Sequence, residues 1–110
     1  MIQPSASFKD NLQQLPPIDA LARIELLDAT GTVVDTIENE AGRKGSLAVY
    51  NYIAGTFEAL DAKAAAHAVA VFAEHGEEAK SHRGSHPNID RLLDIIGGAP
   101  ALALRPVLAA

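Results

Sequence analysis

Three of the four histidines in this chain lie in one polar stretch, residues 75 to 93. His75, His82 and His86 occur there among acidic side chains, including Glu78. Imidazole nitrogens and carboxylate oxygens are ligands of zinc, and both groups can also transfer protons. The spacing of these residues must therefore decide between a metal or acid–base site and a helix end followed by a loop.

The candidate metal ligands are His75, Glu78, His82 and His86. If a helix runs through this stretch, Glu78 lies one turn after His75 and one turn before His82, on the same face. The two histidines are then seven residues apart, so one ion cannot easily reach all three side chains. His82 and His86 have a spacing typical of zinc ligands, but a glycine and a proline argue against the continuous helix that would align their rings.

We therefore expect these residues to have structural roles in packing and in a capping loop. A helix over residues 61–79 places His75 in an apolar arc, which predicts a largely buried and hydrogen-bonded side chain. His82 and His86 are predicted to belong to a capping loop, with His86 directly before a helix that Pro87 begins. We expect that the three histidines do not converge on a single ion.

A second candidate site is the loop formed by Gly42, Arg43, Lys44, Gly45 and Ser46. It precedes a predicted helix, whose free N–H groups and dipole favour anions, and Ser46 is the expected N-terminal cap. The two glycines would let the backbone amides face a phosphate or carboxylate. The spacing matches neither a Walker A loop nor the dinucleotide-binding G-x-G-x-x-G motif. The alternative is a plain capped loop with exposed basic residues.

Length and composition indicate a single globular domain over residues 1–110. Hydrophobic residues make up 48% of the chain but aromatic residues only 5%, so the core must be mainly aliphatic. The net charge of −5 argues against nucleic acid or an anionic membrane as a partner. The chain has no cysteine, which excludes disulfides and thiolate metal sites, and we expect no cofactor. The sequence has neither a secretory signal nor a membrane-spanning run, so a cytoplasmic protein is the simplest interpretation.

The hydrophobic pattern predicts the element order α-β-β-α-α-α-β. Two alternating runs around "ATG" predict a β-hairpin, and "ALALRPV" predicts a short strand that Pro106 confines to a sheet edge. The predicted helices cover residues 8–15, 46–58, 61–79 and 87–96, the first three capped by Ser7, Ser46 and Asp61. The residues of the last helix predicted to face inward are Ile89, Leu92, Leu93 and Ile96. About three helices are expected to cover one face of a short antiparallel sheet, which gives a two-layer α+β domain.

Four stretches of the chain have a distinctive amino-acid sequence. They are "SFKDNLQQLPPID", "DATGTVV", "GSLAVYNYIAGTF" and "HPNIDRLLDII", which are distributed along nearly the whole chain, between residues 7 and 96. In these stretches the sequence resembles a family of small bacterial proteins that is classed as a domain of unknown function. The resemblance implies a bacterial origin and a cytosolic setting, and it transfers no catalytic residue.

The sequence favours a non-catalytic binding or protein-interaction domain, because nearly every segment has a structural explanation. The short sheet and the Pro106 edge predict a symmetric homodimer, and a small anionic ligand is possible. The alternative is a metal- or anion-dependent enzyme built from the two candidate sites. Its groups would be His75, Glu78, His82 and His86, with Arg43 and Lys44 across a cleft. Convergence of these side chains in one pocket would favour the enzyme, and a scattered arrangement would favour the binding domain.

Overall fold

A computed structural model describes the whole chain from Met1 to Ala110. Along the chain, a short helix is followed by two strands, four further helices and a last strand. The elements are α1 (Phe8–Leu12), β1 (Leu21–Leu27), β2 (Val33–Glu38), α2 (Lys44–Thr56), α3 (Ala62–Phe72), α4 (Glu74–Ser81), α5 (Pro87–Ile96) and β3 (Ala103–Leu108). None of the helices has the length and apolarity that crossing a bilayer requires.

The three strands form one antiparallel sheet in the order β2-β1-β3. β1 and β2 are the predicted hairpin, and the Asp28 carboxylate closes its turn by accepting hydrogen bonds from the backbone N–H groups of Thr30 and Thr32 at 2.9 and 3.1 Å. β3 lies at the edge of the sheet, which confirms the prediction made from Pro106. Proline has no N–H that could bond to a further strand. The predicted α+β class, with a hairpin and a C-terminal strand in one sheet, is confirmed.

One face of the sheet is apolar and the other carries ion pairs. Ile24 of β1 and its neighbour Ile37 of β2 are fully buried. On the opposite face, Glu25 accepts hydrogen bonds from Arg105 at 2.8 Å and from Arg23 at 3.1 Å, and these bonds hold the pKa of Glu25 below its usual value. Since only the first face is apolar, the helices cover that face alone, which is the two-layer arrangement.

The helices build the rest of the core from mainly small and aliphatic side chains. α2 contacts all three strands, and α3 and α5 pack against each other beside it. The buried alanines of α3 allow this close approach; they are Ala64, Ala65 and Ala68. The core therefore contains few aromatic rings and is formed by closely packed helices with small side chains between them.

The single helix predicted over residues 61–79 is wrong in one respect, because the chain breaks at Ala73 into α3 and α4. Ala73 has a φ of 53°, a left-handed conformation that is unfavourable for a residue with a Cβ atom. Directly after the break, Gly76 packs so closely on α3 that a Cβ atom there would lie 2.9 Å from the carbonyl oxygen of Val69. α4 therefore packs back on the end of α3 and does not extend it.

Two of the three predicted caps are confirmed. Ser7 and Asp61 each accept a hydrogen bond from the backbone N–H three residues later, at 3.3 and 2.9 Å. Ser46 is not a cap, because α2 begins two residues earlier, at Lys44, with Arg43 in the cap position and no side-chain cap hydrogen bond. Ser46 thus lies inside the first turn of α2.

α5 begins at Pro87 with His86 in the cap position, as predicted. Ile89 and Leu92 are buried and Leu93 is half-buried, but the prediction for the last turn is wrong. Ile95 is buried there, and Ile96 is 43% exposed. The buried residues recur every three positions, so the inward face of the final turn passes through Ile95 and leaves Ile96 at the margin of the core.

Candidate functional site

Two helices bring His75, Glu78 and His86 together. His75 and Glu78 lie one turn apart on α4, and His86 lies at the start of α5. One ligand atom of each side chain lies within 4.8 Å of the ligand atoms of the other two. Nε2 of His86 is 2.6 Å from Oε1 of Glu78, and the ring centroids of His75 and His86 are 5.4 Å apart. We call these three residues the His–Glu–His cluster.

His82 lies outside this cluster. It is exposed at the C-terminal end of α4, where its carbonyl oxygen accepts hydrogen bonds from the backbone N–H and the hydroxyl of Ser85 at 3.1 and 2.7 Å. The turn that follows carries the chain back, so that His86 reaches Glu78. The structure therefore brings together two of the three histidines, with His86 in the place that helical spacing would have given to His82.

His75 is half-buried, and not largely buried and hydrogen-bonded as predicted. The histidine rings that make hydrogen bonds are those of His67 and His86. The His75 ring instead meets Phe8 of α1 edge-on, with ring centroids 5.1 Å apart, and Phe8 stacks on Phe72 of α3 at 5.4 Å. The break after α3 explains the difference, because α4 does not continue the apolar arc in which His75 was expected.

Ion pairs fix the loop between α4 and α5. The Arg83 guanidinium is 3.2 Å from Asp90 and 2.7 Å from Asp94, and the backbone N–H of Gly84 donates to Asp90 at 2.8 Å. The hydrogen bond with Asp94 raises the pKa of Arg83 above its usual value. These contacts define the start of α5, and with it the position of His86, without involving the side chains of the cluster.

A cavity of about 150 Å³ lies beside the cluster. His75 and His86 form part of its wall, and Gly42, Gly45 and Ser46 of the candidate anion loop form another part. The two sites that the sequence predicted separately therefore meet in one cavity.

A second cleft, of about 310 Å³, adjoins this cavity and shares Gly42, Ser46 and His86 with it. All its lining residues are polar or charged, apart from one glycine and one proline. The remaining members of the lining are Asp35, Thr36, Arg43, Ser85, Pro87, Asn88 and Arg91. We call this cleft the polar cleft.

Arg91 is firmly anchored in the wall of the polar cleft. Its guanidinium pairs with the Asp35 carboxylate of β2, and it donates to the side-chain oxygen of Asn88 at 3.0 Å and to the Tyr50 hydroxyl oxygen at 3.1 Å. Burial raises the pKa of Tyr50 to about 12, so the hydroxyl stays protonated and donates to the carbonyl oxygen of Asn88 at 2.5 Å. This network joins the start of α5 to α2 and β2.

Arg43 lines the polar cleft, whereas Lys44 lines neither cavity. The Arg43 guanidinium is 3.0 Å from Glu40, and both side chains are more than half exposed. Such an exposed pair contributes little to stability, so Arg43 can turn to a ligand at small cost. Of the five residues of the candidate anion loop, the structure thus places all except Lys44 at one of the two cavities.

His67, the fourth histidine, belongs to no group of metal-ligating side chains. Its Nε2 is 2.8 Å from the Tyr52 hydroxyl, whose oxygen also accepts a hydrogen bond from the backbone N–H of Ile2 at 3.1 Å. The ring of Phe57 lies 5.8 Å away. Burial of the imidazole lowers the pKa of His67 below its usual value. The Tyr52 hydroxyl of α2 therefore joins the N-terminal segment to His67 of α3 through hydrogen bonds.

The largest opening of the surface, about 600 Å³, lies along α3 and α4. Alanine makes up half of its lining, and its acidic residues are Glu74 and Glu77. The backbone N–H of Phe8 donates to Glu74 at 2.7 Å and lowers the pKa of that carboxyl. Despite its size, this groove contains no convergent set of chemically active groups, so the two smaller cavities are the better candidates for a site.

The sequence did not indicate that Asp35, Asn88 and Arg91 form part of the wall of the polar cleft. The ion pair of Asp35 with Arg91 joins residues 56 positions apart, and no local pattern can show such a contact. Nor does the position of Asp35 in β2 require a cationic partner, because its side chain is 51% exposed.

The chain belongs to a bacterial family of unknown function. A family model described as "uncharacterized protein conserved in bacteria (DUF2322)" matches residues 8–106. This match confirms the kind of family that the four distinctive stretches indicated. No curated protein and no solved structure matches the chain.

Proposed function

We propose that this protein is a non-catalytic binding domain that holds a small anionic ligand in the polar cleft. The observation that carries this proposal is the lining of the cleft, which encloses about 310 Å³ without a hydrophobic side chain. Small-molecule sites measure about 300–1,000 Å³ and are mostly apolar. A cleft lined mainly by polar and charged groups, at the lower end of this range, suits a small and strongly polar ligand.

The charges of the polar cleft favour an anion. Arg43 and Arg91 contribute two guanidinium groups against the single carboxylate of Asp35, in a protein whose net charge is −5. Residues from the first turns of α2 and α5 also line the cleft, and helix N-termini carry partial positive charge. Arg91 is held by Asp35, so Arg43, whose pair with Glu40 is exposed, is the guanidinium that can turn to an anion in the cleft.

Thermal unfolding in metal-free buffer tests the anion proposal. Phosphate or sulfate should raise the Tm more than chloride does at equal ionic strength, because a ligand that binds only the folded state stabilises it. Arg43→Ala should reduce this difference to the general stabilising effect that these excluded salts have on any folded protein. Lys44→Ala is the matched control, since it removes the same charge from the neighbouring residue, which lies outside the cleft. If parent and both variants respond equally to the oxyanions, the cleft does not bind them and the proposal fails.

The protein is further proposed to form a cytoplasmic homodimer. β2 leaves one edge of the sheet unpaired, and Val33 and Val34 on this strand are 40% and 52% exposed, whereas β3 at the other edge contains Pro106. Unpaired edges with apolar side chains favour pairing with another chain. Light scattering at high micromolar concentration should give twice the chain mass of 11.5 kDa, and a monomer mass would contradict the dimer. The cytoplasmic setting is supported by the cysteine-free, acidic composition.

The second candidate function is a metal- or anion-dependent enzyme. One observation favours it, which is the cavity that His75 and His86 share with Gly42 and Ser46 of the candidate anion loop. The convergence is partial, because Glu78, His82 and Lys44 do not line this cavity, and the binding domain is therefore preferred. A metal ion held at that cavity would polarise a bound oxyanion or a water molecule. Zinc-dependent hydrolysis of simple phosphate esters that His86→Ala abolishes would favour the enzyme over the binding domain.

A further inference from the structure

We propose that the His–Glu–His cluster binds one divalent metal ion of the zinc type. This inference goes beyond the anion-binding function and does not depend on it, because only His86 of the three cluster residues also lines the polar cleft. It rests on the convergence of three side chains from two different helices, with a cavity beside them.

The ligand atoms of the cluster already surround a position for an ion. Zinc lies about 2.0–2.2 Å from nitrogen and oxygen ligands. Three atoms that are at most 4.8 Å apart leave a point no more than about 2.8 Å from each, so each atom must move by less than about 1 Å to reach zinc distance. Glu78 can supply much of this movement, since its side chain is 55% exposed.

The donor set selects the class of metal. Two imidazole nitrogens and one carboxylate oxygen suit zinc, cobalt and nickel, whereas magnesium and calcium prefer oxygen ligands alone. Three protein ligands leave one position of a tetrahedral ion for water. The adjacent cavity of about 150 Å³ has room for several water molecules, since each occupies about 30 Å³ in the liquid.

The surrounding structure holds the cluster from two sides. On α4, His75 packs edge-on against Phe8, and Gly76 brings the helix into direct contact with α3. On the other side, His86 is the cap residue of α5, which the buried Ile89 anchors in the core. Ligands carried by packed helices lose little freedom when an ion binds, which favours affinity.

Ion binding has to replace the hydrogen bond between His86 and Glu78. The 2.6 Å separation of Nε2 and Oε1 means that the two atoms share one hydrogen. An ion that accepts lone pairs from both atoms takes the place of this hydrogen, which then leaves to solvent or, through solvent, to Nδ1 of the same ring. Binding of the ion therefore requires this hydrogen to move away from the space between the two atoms.

Calorimetric titration of zinc chloride into the EDTA-treated and desalted protein tests the inference. We expect one ion per chain with a Kd in the micromolar range or below. His75→Ala, His86→Ala and Glu78→Gln should each weaken binding by more than about 100-fold, since even the loss of a group that only orients a ligand weakens binding about 10–100-fold.

His82→Ala and Glu77→Gln are the matched controls. Each removes the same type of side chain from the same stretch of sequence, and both residues are exposed and lie outside the cluster. Both variants should bind zinc as tightly as the parent. Absence of saturable zinc binding by the parent, or equal weakening by His82→Ala and His86→Ala, would overturn the proposal.

Glu78→Gln keeps the test decisive if an alanine variant fails to fold, because this exposed side chain is replaced by one of the same shape. Circular dichroism shows whether each variant is folded, and unchanged zinc affinity in a folded Glu78→Gln variant would contradict the site. Arg43→Ala should lose the specific oxyanion response and keep zinc binding. The failure of either site can therefore be told from the failure of the other.

Discussion

His67 and His86 each form a hydrogen bond through Nε2, but their surroundings differ in chemistry. His67 is 2.8 Å from the hydroxyl of Tyr52, and His86 is 2.6 Å from the carboxylate of Glu78. The other ring close to His67 is the apolar Phe57, whereas His86 has the imidazole of His75 beside it. One site thus combines a histidine with neutral aromatic groups, and the other combines two histidines with an anion.

This difference shows how the fold gives the same residue type two roles. Around His67, burial lowers the pKa and keeps the ring neutral, which suits a structural hydrogen bond. Around His86, a carboxylate and two ring nitrogens converge, which suits a cation. The neighbours that decide the role come from other elements of the fold.

The largest difference between the two histidine sites is expected from a substitution that displaces α4, which carries two residues of the His–Glu–His cluster. Gly76→Ala should lower the free energy of unfolding by about 1–2 kcal/mol, because the new Cβ atom would lie 2.9 Å from the backbone oxygen of Val69 and 3.0 Å from its side chain. The same shift displaces His75 and Glu78 relative to His86, so zinc affinity should fall as well. Urea unfolding and zinc titration measure the two effects.

Gly55→Ala is the control for this substitution. Gly55 also lies in a helix, but nothing lies within 4 Å of the position of a new Cβ atom. Because alanine favours helix over glycine, this variant should gain about 0.5–1 kcal/mol and bind zinc unchanged. If Gly76→Ala were equally stabilising, the close contact between α4 and α3 would not exist as described.

A smaller effect is expected at the other histidine. Tyr52→Phe removes the hydroxyl that bridges His67 and the backbone N–H of Ile2, and should lower the free energy of unfolding by about 1 kcal/mol. Zinc affinity should not change, because the cluster is formed by other residues. A marked loss of zinc binding in this variant would show that the two histidine sites are not independent.

The smallest effect is a pH dependence that belongs to His67 alone. Because its pKa in the folded protein is lowered from 6.5, the unfolded chain takes up a proton at higher pH than the folded chain does. The stability contribution of neutral His67 is therefore present above about pH 6.5 and is lost as the pH falls through the lower folded pKa. His67→Gln should unfold with a flatter pH dependence than the parent between about pH 7.5 and 5.5, measured with EDTA present. Identical slopes would contradict this assignment.

Local signals in the sequence predicted most of the fold. Alternating apolar residues marked the hairpin, Ser7 and Asp61 marked helix starts, and Pro87 marked the first residue of α5. The break at Ala73 carries no such signal, because alanine strongly favours helix. The break is accompanied by the close packing of Gly76 on Val69, which belongs to tertiary structure and which the local sequence does not show.

The same break explains why the site was only partly predictable. Sequence spacing paired His75 with Glu78 correctly, since both lie on one helix face. Spacing alone could not show that His86, and not His82, completes the cluster, because this depends on the angle of α4 and on the turn that leads into α5. Likewise, the anion loop was recognised from its composition, while its position beside the histidines follows only from the packing of α2 against the other helices.

Thermal unfolding with and without zinc shows whether His86, and not His67, lies in a metal site. At a zinc concentration about 100-fold above the Kd, the folded state should gain about 2.7 kcal/mol, which corresponds to a rise in Tm of roughly 10 °C for a domain of this size. This rise in Tm is expected in the parent and in His67→Gln, and no rise is expected in His86→Ala. Equal zinc responses in His67→Gln and His86→Ala, or no response in the parent, would contradict this expectation.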